Sequence, residues 1–172
     1  MDPAHPYLHT VEPEYVDDRK LIRHPRPMLS TEKAYDRAAL IRWVERVHKA
    51  AGELGRPTVE FRLTAKLDGV AGRDEDGILA SRGNGREGQD ITNAFSRGVV
   101  AVGGRGLGLG EIVIEQSAFD AHFSDQFDHP RNMAVGIISA DNLSELAQKA
   151  LKMGIVRFVP YATLPNWRGT GE

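Results

Sequence analysis

An α+β fold built on antiparallel sheet is what this chain predicts, and three observations predict it. Apolar residues recur at helical spacing in two separated segments, 36–55 and 141–154. Around them run short stretches of period two, punctuated by glycine-rich turns. No regular strand–helix–strand rhythm connects the pieces, which argues against a parallel sheet. At 172 residues a single domain with a useful core is the expectation.

Residues 1–27 hold five of the nine prolines and no sustained period, so they read as an extended N-terminal arm, wrapped on something or loose. The remainder, 28–172, reads as one unit. In "DRAALIRWVERVHKAAGELG" the residues Leu40, Val44, Val47, Ala51 and Leu54 fall on one helical face, widened by Ile41 and Trp43. Asp36 is the expected N-cap and Gly55 the stop. After Pro57 the period becomes two. Val59, Phe61, Leu63 and Ala65 alternate with Glu60, Arg62, Thr64 and Lys66, which predicts a strand over 59–66 with Lys66 and Thr64 on its polar face. "GRDEDG" predicts a hairpin turn into "ILASR". A glycine-rich loop, "RGNGREGQD", leads to a helix start, and short strands follow around "GVVAV" and "GEIVI". Ser117 is the expected cap of a short helix, "AFDAHF", and "HPRNMAVG" reads as a loop. "DNLSELAQKALKMG" predicts a second amphipathic helix with Leu143, Leu146, Ala150 and Leu151 inward, and "IVRFVPYA" a closing strand.

Composition narrows the chemistry. Twenty-two basic against 24 acidic residues give a net charge of -2, which argues against a purely electrostatic nucleic-acid binder. Without cysteine, these residues can form neither a disulfide nor a thiolate metal site. The six histidines show no metal spacing, and no metal site is expected from the residues. There is no long apolar run, and "MDPAHPYLHT" has neither a basic n-region nor an apolar h-region, so no membrane partner and a cytoplasmic location are expected.

The stretch "TAKLDGVAG" carries the sharpest candidate. A lysine at a strand end is most often a solvated cap. Lys66, however, shares a predicted polar face with Thr64 and, if the chain stays extended, with Asp68, and Gly69 permits close approach of a bulky group. Such a lysine can act as an amine nucleophile. In the second candidate, "SRGNGREGQDITN", the plain reading is a polar loop before a helix. The functional reading has Arg82 closing on a phosphate or ribose while exposed amides shape an anion site. "VGGRGLGLGE" is not a dinucleotide fingerprint: no register places its glycines at G-x-G-x-x-G, and it reads as a flexible turn feeding the strand that carries Glu111.

In this order the motifs resemble the adenylation domain of NAD-dependent DNA ligases. "HPRPMLSTEKAYD" resembles H-x-x-P-M-L-S-L-x-x-A-F, "AKLDGVAG" the nucleotidyl-lysine motif K-x-D-G, and "SRGNGREGQDITNA" the segment T-R-G-D-G-x-x-G-E-D-I-T-x-N. "GEIVI" resembles the core of R-G-E-V, and "DHPRNMAVGII" resembles A-N-P-R-N-A-A-A-G-S-L. The resemblance covers residues 24 to about 161.

It implies an antiparallel-sheet, ATP-grasp-like nucleotidyltransferase fold, present in part. It also implies that Lys66 attacks the α-phosphate of NAD to leave a lysyl-AMP for the joining of nicked DNA. Asp68 would support the lysine and a Mg2+ ion. Ser30, Thr31, Thr64, Arg82, Glu111 and Arg131 would line the nucleotide site, with NAD or AMP as the ligand. Four positions depart from the family pattern: Thr64 for a glutamate that reads adenine, Asn84 for an aspartate, Leu109 for an arginine, and Ser139 for an arginine. The N-terminal arm lacks the Y-H-x-Y-D pattern that grips nicotinamide mononucleotide, and only Lys149 and Lys152 lie downstream of Lys66, both on the predicted helix. Hence an incomplete adenylation domain is expected, needing further domains to engage nicked DNA and seal it. A non-catalytic nucleotide-binding relative and an RNA-end nucleotidyltransferase remain as alternatives.

Overall fold

A computed structural model describes residues 20–29, 32–56, 58–61 and 63–162 of the chain. It divides into two compact units, one of Met1–Leu29 with Leu67–Glu172 and one of Ser30–Lys66.

The larger unit is α+β. Its main sheet has five strands: β2 (Val70–Glu75), β3 (Ile78–Ser81), β5 (Val100–Ala101), β6 (Gly108–Ile114) and β7 (Val156–Ala162). They stand in the order β3-β2-β6-β7-β5. All neighbours are antiparallel except β5 and β7, which run parallel. The predicted hairpin joins β2 to β3 through Asp76 and Gly77, at φ 52° and 79°. Two left-handed residues in succession match the twist of the flanking strands, and Asp-Gly is the pair best able to adopt them. A second sheet pairs β1 (Leu21–Arg23) with β4 (Glu87–Gln89). Part of the predicted arm therefore wraps on the glycine-rich loop and its outgoing strand.

One face of the main sheet makes the core. Val70, Leu79, Ile112, Ile114, Val156 and Phe158 alternate inward and meet Phe119, Phe123, Met133, Ile137, Ala150 and Leu151 from the helices. Those helices are α3 (Gln116–His122), α4 (Pro130–Ser139) and α5 (Glu145–Lys152), with the short α2 (Asn93–Arg97) beside them. The second amphipathic helix forms as predicted, capped by Ser144, whose hydroxyl accepts from the Ala147 amide at 3.2 Å.

Three expectations are overturned here. The "HPRNMAVG" segment is not a loop but the helix α4. His129 caps it, its Nδ1 accepting from the Arg131 amide at 3.1 Å, and Pro130 occupies the first turn, where its missing N–H is harmless. Ser117 does not cap α3. The helix starts earlier, after Glu115, and the Ser117 hydroxyl donates to the Glu115 carboxylate at 3.1 Å. The "VGGRG" turn is not free: Arg105 reaches Asp74 on β2 with Nε and Nη2 and stacks on the Phe95 ring.

Packing makes Gly88 testable. It lies in β4 so close to β3 that a Cβ would overlap the Ser81 carbonyl. Gly88→Ala is expected to destabilise the chain by about 1–3 kcal/mol through forced separation of the strands. A urea midpoint equal to wild type would show that the strands separate without cost.

The smaller unit holds α1 (Arg37–Glu53). Asp36 caps it as predicted, its carboxylate accepting from the Ala39 amide at 2.6 Å, and Gly55 follows at φ 69°. Trp43 packs against Phe61, ring centroids 5.4 Å apart, but the helix buries none of its residues fully. The strand predicted over 59–66 is absent among the described residues, and Leu63 is 98% exposed. Alternation marks a strand only where a partner ladder takes up the backbone groups, and no described residue pairs with this segment. Among the described residues no helix is long and apolar enough to cross a membrane.

Candidate functional site

The face of the main sheet opposite the core places Arg82 and Glu111 in one row. Ala71 on β2 pairs directly with Glu111 on β6. On its other side, the amide of Arg82, one residue past β3, donates to the Ala71 carbonyl at 2.9 Å. Direct cross-strand partners share a face, and strands lie about 4.8 Å apart, so Arg82 and Glu111 flank a small alanine about 10 Å from each other. Ala71 thus forms a low floor between a cation and an anion. The Glu111 carboxylate accepts from the Gly69 amide at 3.2 Å, which ties β6 to the K-x-D-G motif. No side chain can take the place of Gly69, since a Cβ there would overlap the Ile112 carbonyl.

Next to Gly69, the Asp68 carboxylate accepts from Arg131 Nη1 at 3.1 Å, and His129 Nε2 stands 3.8 Å from its other oxygen. Both partners come from the start of α4. Because His129 Nδ1 accepts from the Arg131 amide, the proton of a neutral imidazole sits on Nε2, toward Asp68. One side chain therefore caps the helix and faces the motif aspartate. Sequence reasoning missed His129, although a polar residue directly before a proline that opens a helix is a legible N-cap signal.

Of the predicted site residues, the larger unit brings together Asp68 with Arg131, and Glu111 with Gly69 and, across Ala71, Arg82. Thr64 and Lys66 lie in the smaller unit, both exposed, in a stretch without regular secondary structure rather than on a strand. Ser30 and Thr31 fall outside the described residues. The glycine-rich loop does not present its amides as an anion nest. Those of Asn84 and Gly85 bond to the Glu87 and Arg82 carbonyls, and those of Arg86 and Glu87 both bond to Asn84 Oδ1 at 2.9 Å. The cations of this loop are the Arg82 and Arg86 side chains. A separate hollow of about 200 Å³, lined by residues of α2 and α5 including Arg97 and Lys152, lies on the helix-covered side of the sheet, away from Glu111's face.

Comparison with known proteins decides the family. The model of the NAD-dependent DNA ligase adenylation domain matches residues 17–164. The chain belongs to that family. A DNA ligase of Desulfatibacillum aliphaticivorans is 56% identical over 170 residues, covering 99% of this chain and 27% of the ligase. DNA ligases of Psychromonas ingrahamii and Shewanella baltica are 45% and 43% identical, each covering at least 97% of this chain and 26% of the ligase. The chain thus spans about a quarter of the length of these relatives.

Membership gives the departures a structural reading. In this adenylation-domain chain Asn84 serves its loop by accepting two amide hydrogens through one side-chain oxygen, a task its replacement for aspartate leaves intact. Leu109 stands directly across the ladder from Arg73, which is 5% exposed and bonds to the Arg26 carbonyl and Glu75. An arginine at 109 would set like charges opposite one another. Ser139 closes the last turn of α4 by donating to the Val135 carbonyl at 2.7 Å.

Proposed function

We propose that this chain is the nucleotide-binding part of a ligase adenylation domain with the nucleotidyltransferase fold, and that Lys66 is its nucleophile. In this reading the Lys66 amine attacks the α-phosphorus of NAD. A nitrogen–phosphorus bond forms, the bond to the nicotinamide mononucleotide oxygen breaks, and the amine proton passes to solvent. The adenylate on Lys66 is then available for a 5′-phosphate at a DNA nick. The single observation that supports this best is the pairing of the K-x-D-G motif with its surroundings: Asp68 bonded to Arg131, and the Gly69 amide bonded to Glu111.

Arg82 and Glu111 would hold phosphate and ribose on either side of Ala71. Among the described residues no three His, Asp or Glu side chains gather as a metal site. Mg2+ needs only one or two carboxylates when phosphates supply its other oxygens, and Asp68, half exposed, fits that role. The ion would supply neutralisation of phosphate charge. A second reading, a relative that binds nucleotide without turnover, is favoured by Thr64 in place of the family's glutamate.

The test is incubation of the chain with NAD labelled in its adenylate, followed by peptide mapping. Adenylate on Lys66 supports the enzyme; AMP binding without any adduct favours the second reading; adduct on another residue overturns the assignment. The 172 residues alone are expected not to seal a nicked duplex, because the relatives that carry the name DNA ligase are nearly four times as long. Joined product on a denaturing gel from this chain with NAD and Mg2+ would refute that expectation.

A further inference from the structure

His24 is unusual in being a histidine 6% exposed that sits between two backbone carbonyls. Its Nε2 lies 3.1 Å from the Ser81 carbonyl oxygen and 3.3 Å from that of Arg82. Carbonyls only accept, so Nε2 carries the proton, and in the neutral ring Nδ1 is then the bare nitrogen. Nδ1 is buried without a hydrogen-bond partner, which suits a lone pair facing apolar surroundings better than an N–H. On either side of the ring the backbone repeats the grip. The His24 amide donates to the Arg86 carbonyl at 2.8 Å, and the Met28 amide donates to the Gly85 carbonyl at 2.7 Å, with Met28 itself buried. The ring is packed over Gly88, where a Cβ would come within 3.1 Å of Nε2.

We propose that His24 is a positioning residue for nucleotide binding: its neutral Nε2–H clamps the carbonyls on both sides of the Arg82 α-carbon and so fixes the direction in which that side chain leaves the sheet. This deepens the reading of Arg82 as a nucleotide contact and rests on it. No anion nest holds the ligand in this loop, so in this reading ligand geometry depends on where the Arg82 guanidinium points. A clamp on its backbone is therefore a clamp on the site.

The clamp is also an acid-sensitive one. Burial holds the imidazole below its ordinary value, and the Arg73 guanidinium pushes in the same direction, while the two carbonyl bonds oppose both. The charged side chains on elements packed against the ring are Arg73, Asp74 and Glu75 on β2, Arg82 after β3, and Arg86 and Glu87 at the start of β4. Of the β2 carboxylates, Asp74 is taken by Arg105 and Glu75 lies 3.4 Å from Arg73. Arg23 and Arg26 flank it on its own segment. Cations dominate this list, so a protonated His24 has little to pair with. Protonation at Nδ1 leaves the Nε2–H donor in place but sets a charge in a buried seat where, among the described residues, no buried anion is free to meet it. The clamp is therefore complete above the ordinary histidine range and is lost, through displacement of the charged ring, as pH falls through the folded value.

The test measures AMP affinity of the 172-residue chain against pH for wild type, His24→Gln and His24→Leu, beside nitrogen NMR of the His24 ring and hydrogen exchange of the Met28 amide. Glutamine keeps a donor near the Nε2 position and does not titrate. The AMP phosphate itself takes up a proton at about pH 6, so all variants share an acid limb. Wild-type affinity is expected to fall about tenfold further than that of His24→Gln as His24 protonates, the scale of one lost positioning hydrogen bond. His24→Leu is expected to bind about tenfold more weakly at every pH, for the same reason. An Nε2-protonated neutral ring and a protected Met28 amide support the clamp without any nucleotide present. An Nδ1-protonated ring overturns the clamp itself. An acid limb in His24→Gln equal to that of wild type overturns the positioning role, even where His24→Leu fails to fold. A wild type that binds no AMP at neutral pH overturns the nucleotide reading and the role of His24 in it, and the NMR result then stands apart as a statement about the loop.

Discussion

Lys66→Ala is expected to abolish the adenylate adduct, and Lys66→Arg to do the same. Alanine removes the only atom proposed to bond to phosphorus. Arginine keeps the positive charge and most of the length, but its guanidinium stays protonated throughout the accessible pH range and has no lone pair to give. The arginine variant separates the two jobs a lysine can do at a phosphate. If Lys66 serves only as a counter-charge, Lys66→Arg retains AMP binding and whatever adduct the wild type forms. If it is the nucleophile, Lys66→Arg retains binding and loses the adduct entirely. Removal of a catalytic nucleophile commonly lowers turnover by several orders of magnitude, far beyond the effect of any single contact. Because Lys66 is exposed and outside the main core, neither replacement should move the unfolding midpoint. An adduct of wild-type intensity in Lys66→Ala, read by intact mass, would remove Lys66 from the mechanism. An unfolding midpoint that drops with the adduct would instead show that the residue is structural.

Much of the local fold was legible in the sequence, and what was missed has common causes. The hairpin at Asp76-Gly77, the cap at Asp36 and the last strand are set by local chemistry: turn geometry, a side-chain oxygen at a helix start, β-branched residues. Each shows within a few residues. The order of strands beyond the hairpin and the row Arg82–Ala71–Glu111 depend on pairings between residues more than ten positions apart. The family resemblance named Arg82 and Glu111 together, and no sequence signal pointed to the strand order. Helix α4 was lost because Gly136 and the preceding prolyl sequence look like loop chemistry, although a proline in the first turn is compatible with a helix. The strand over 59–66 was an error of the opposite kind. A period of two is necessary for a half-buried strand but not sufficient, since the backbone must also find a ladder. The contacts of Arg105 and of His24, the residue that opens the segment resembling H-x-x-P-M-L-S, were hidden for a third reason. A glycine-flanked arginine and a proline-flanked histidine look like loop residues until folding brings a buried aspartate or two carbonyls to them.

Arg105→Leu is expected to destabilise the larger unit by about 3 kcal/mol, the low end for breaking a buried ion pair. Asp74 is fully buried on the core face of β2, opposite Leu79, a place where a carboxylate survives only if its charge is met. It is met by Arg105 Nε at 2.8 Å, Arg105 Nη2 at 2.8 Å and the Gly106 amide at 2.6 Å. The guanidinium lies 3.8 Å over the Phe95 ring and is itself about a third exposed, so water can reach one side of the pair and the larger values of that range are not expected. Leucine fills the volume over Phe95 but leaves the carboxylate with a single amide donor. Asp74→Asn is expected to cost less, about 1–2 kcal/mol, because the amide oxygen still accepts from Gly106 and Arg105 can turn toward solvent. The order of the two follows from burial: the stranded partner is a fully enclosed anion in one case and an accessible cation in the other. Replacing both, Asp74→Leu with Arg105→Leu, is expected to recover much of the loss, since no buried charge remains. Urea unfolding with unchanged slope reads all three. A double variant as unstable as Arg105→Leu would mean that the loop is held by shape rather than by charge. A larger loss for Asp74→Asn than for Arg105→Leu would reverse the argument from burial on which the prediction stands.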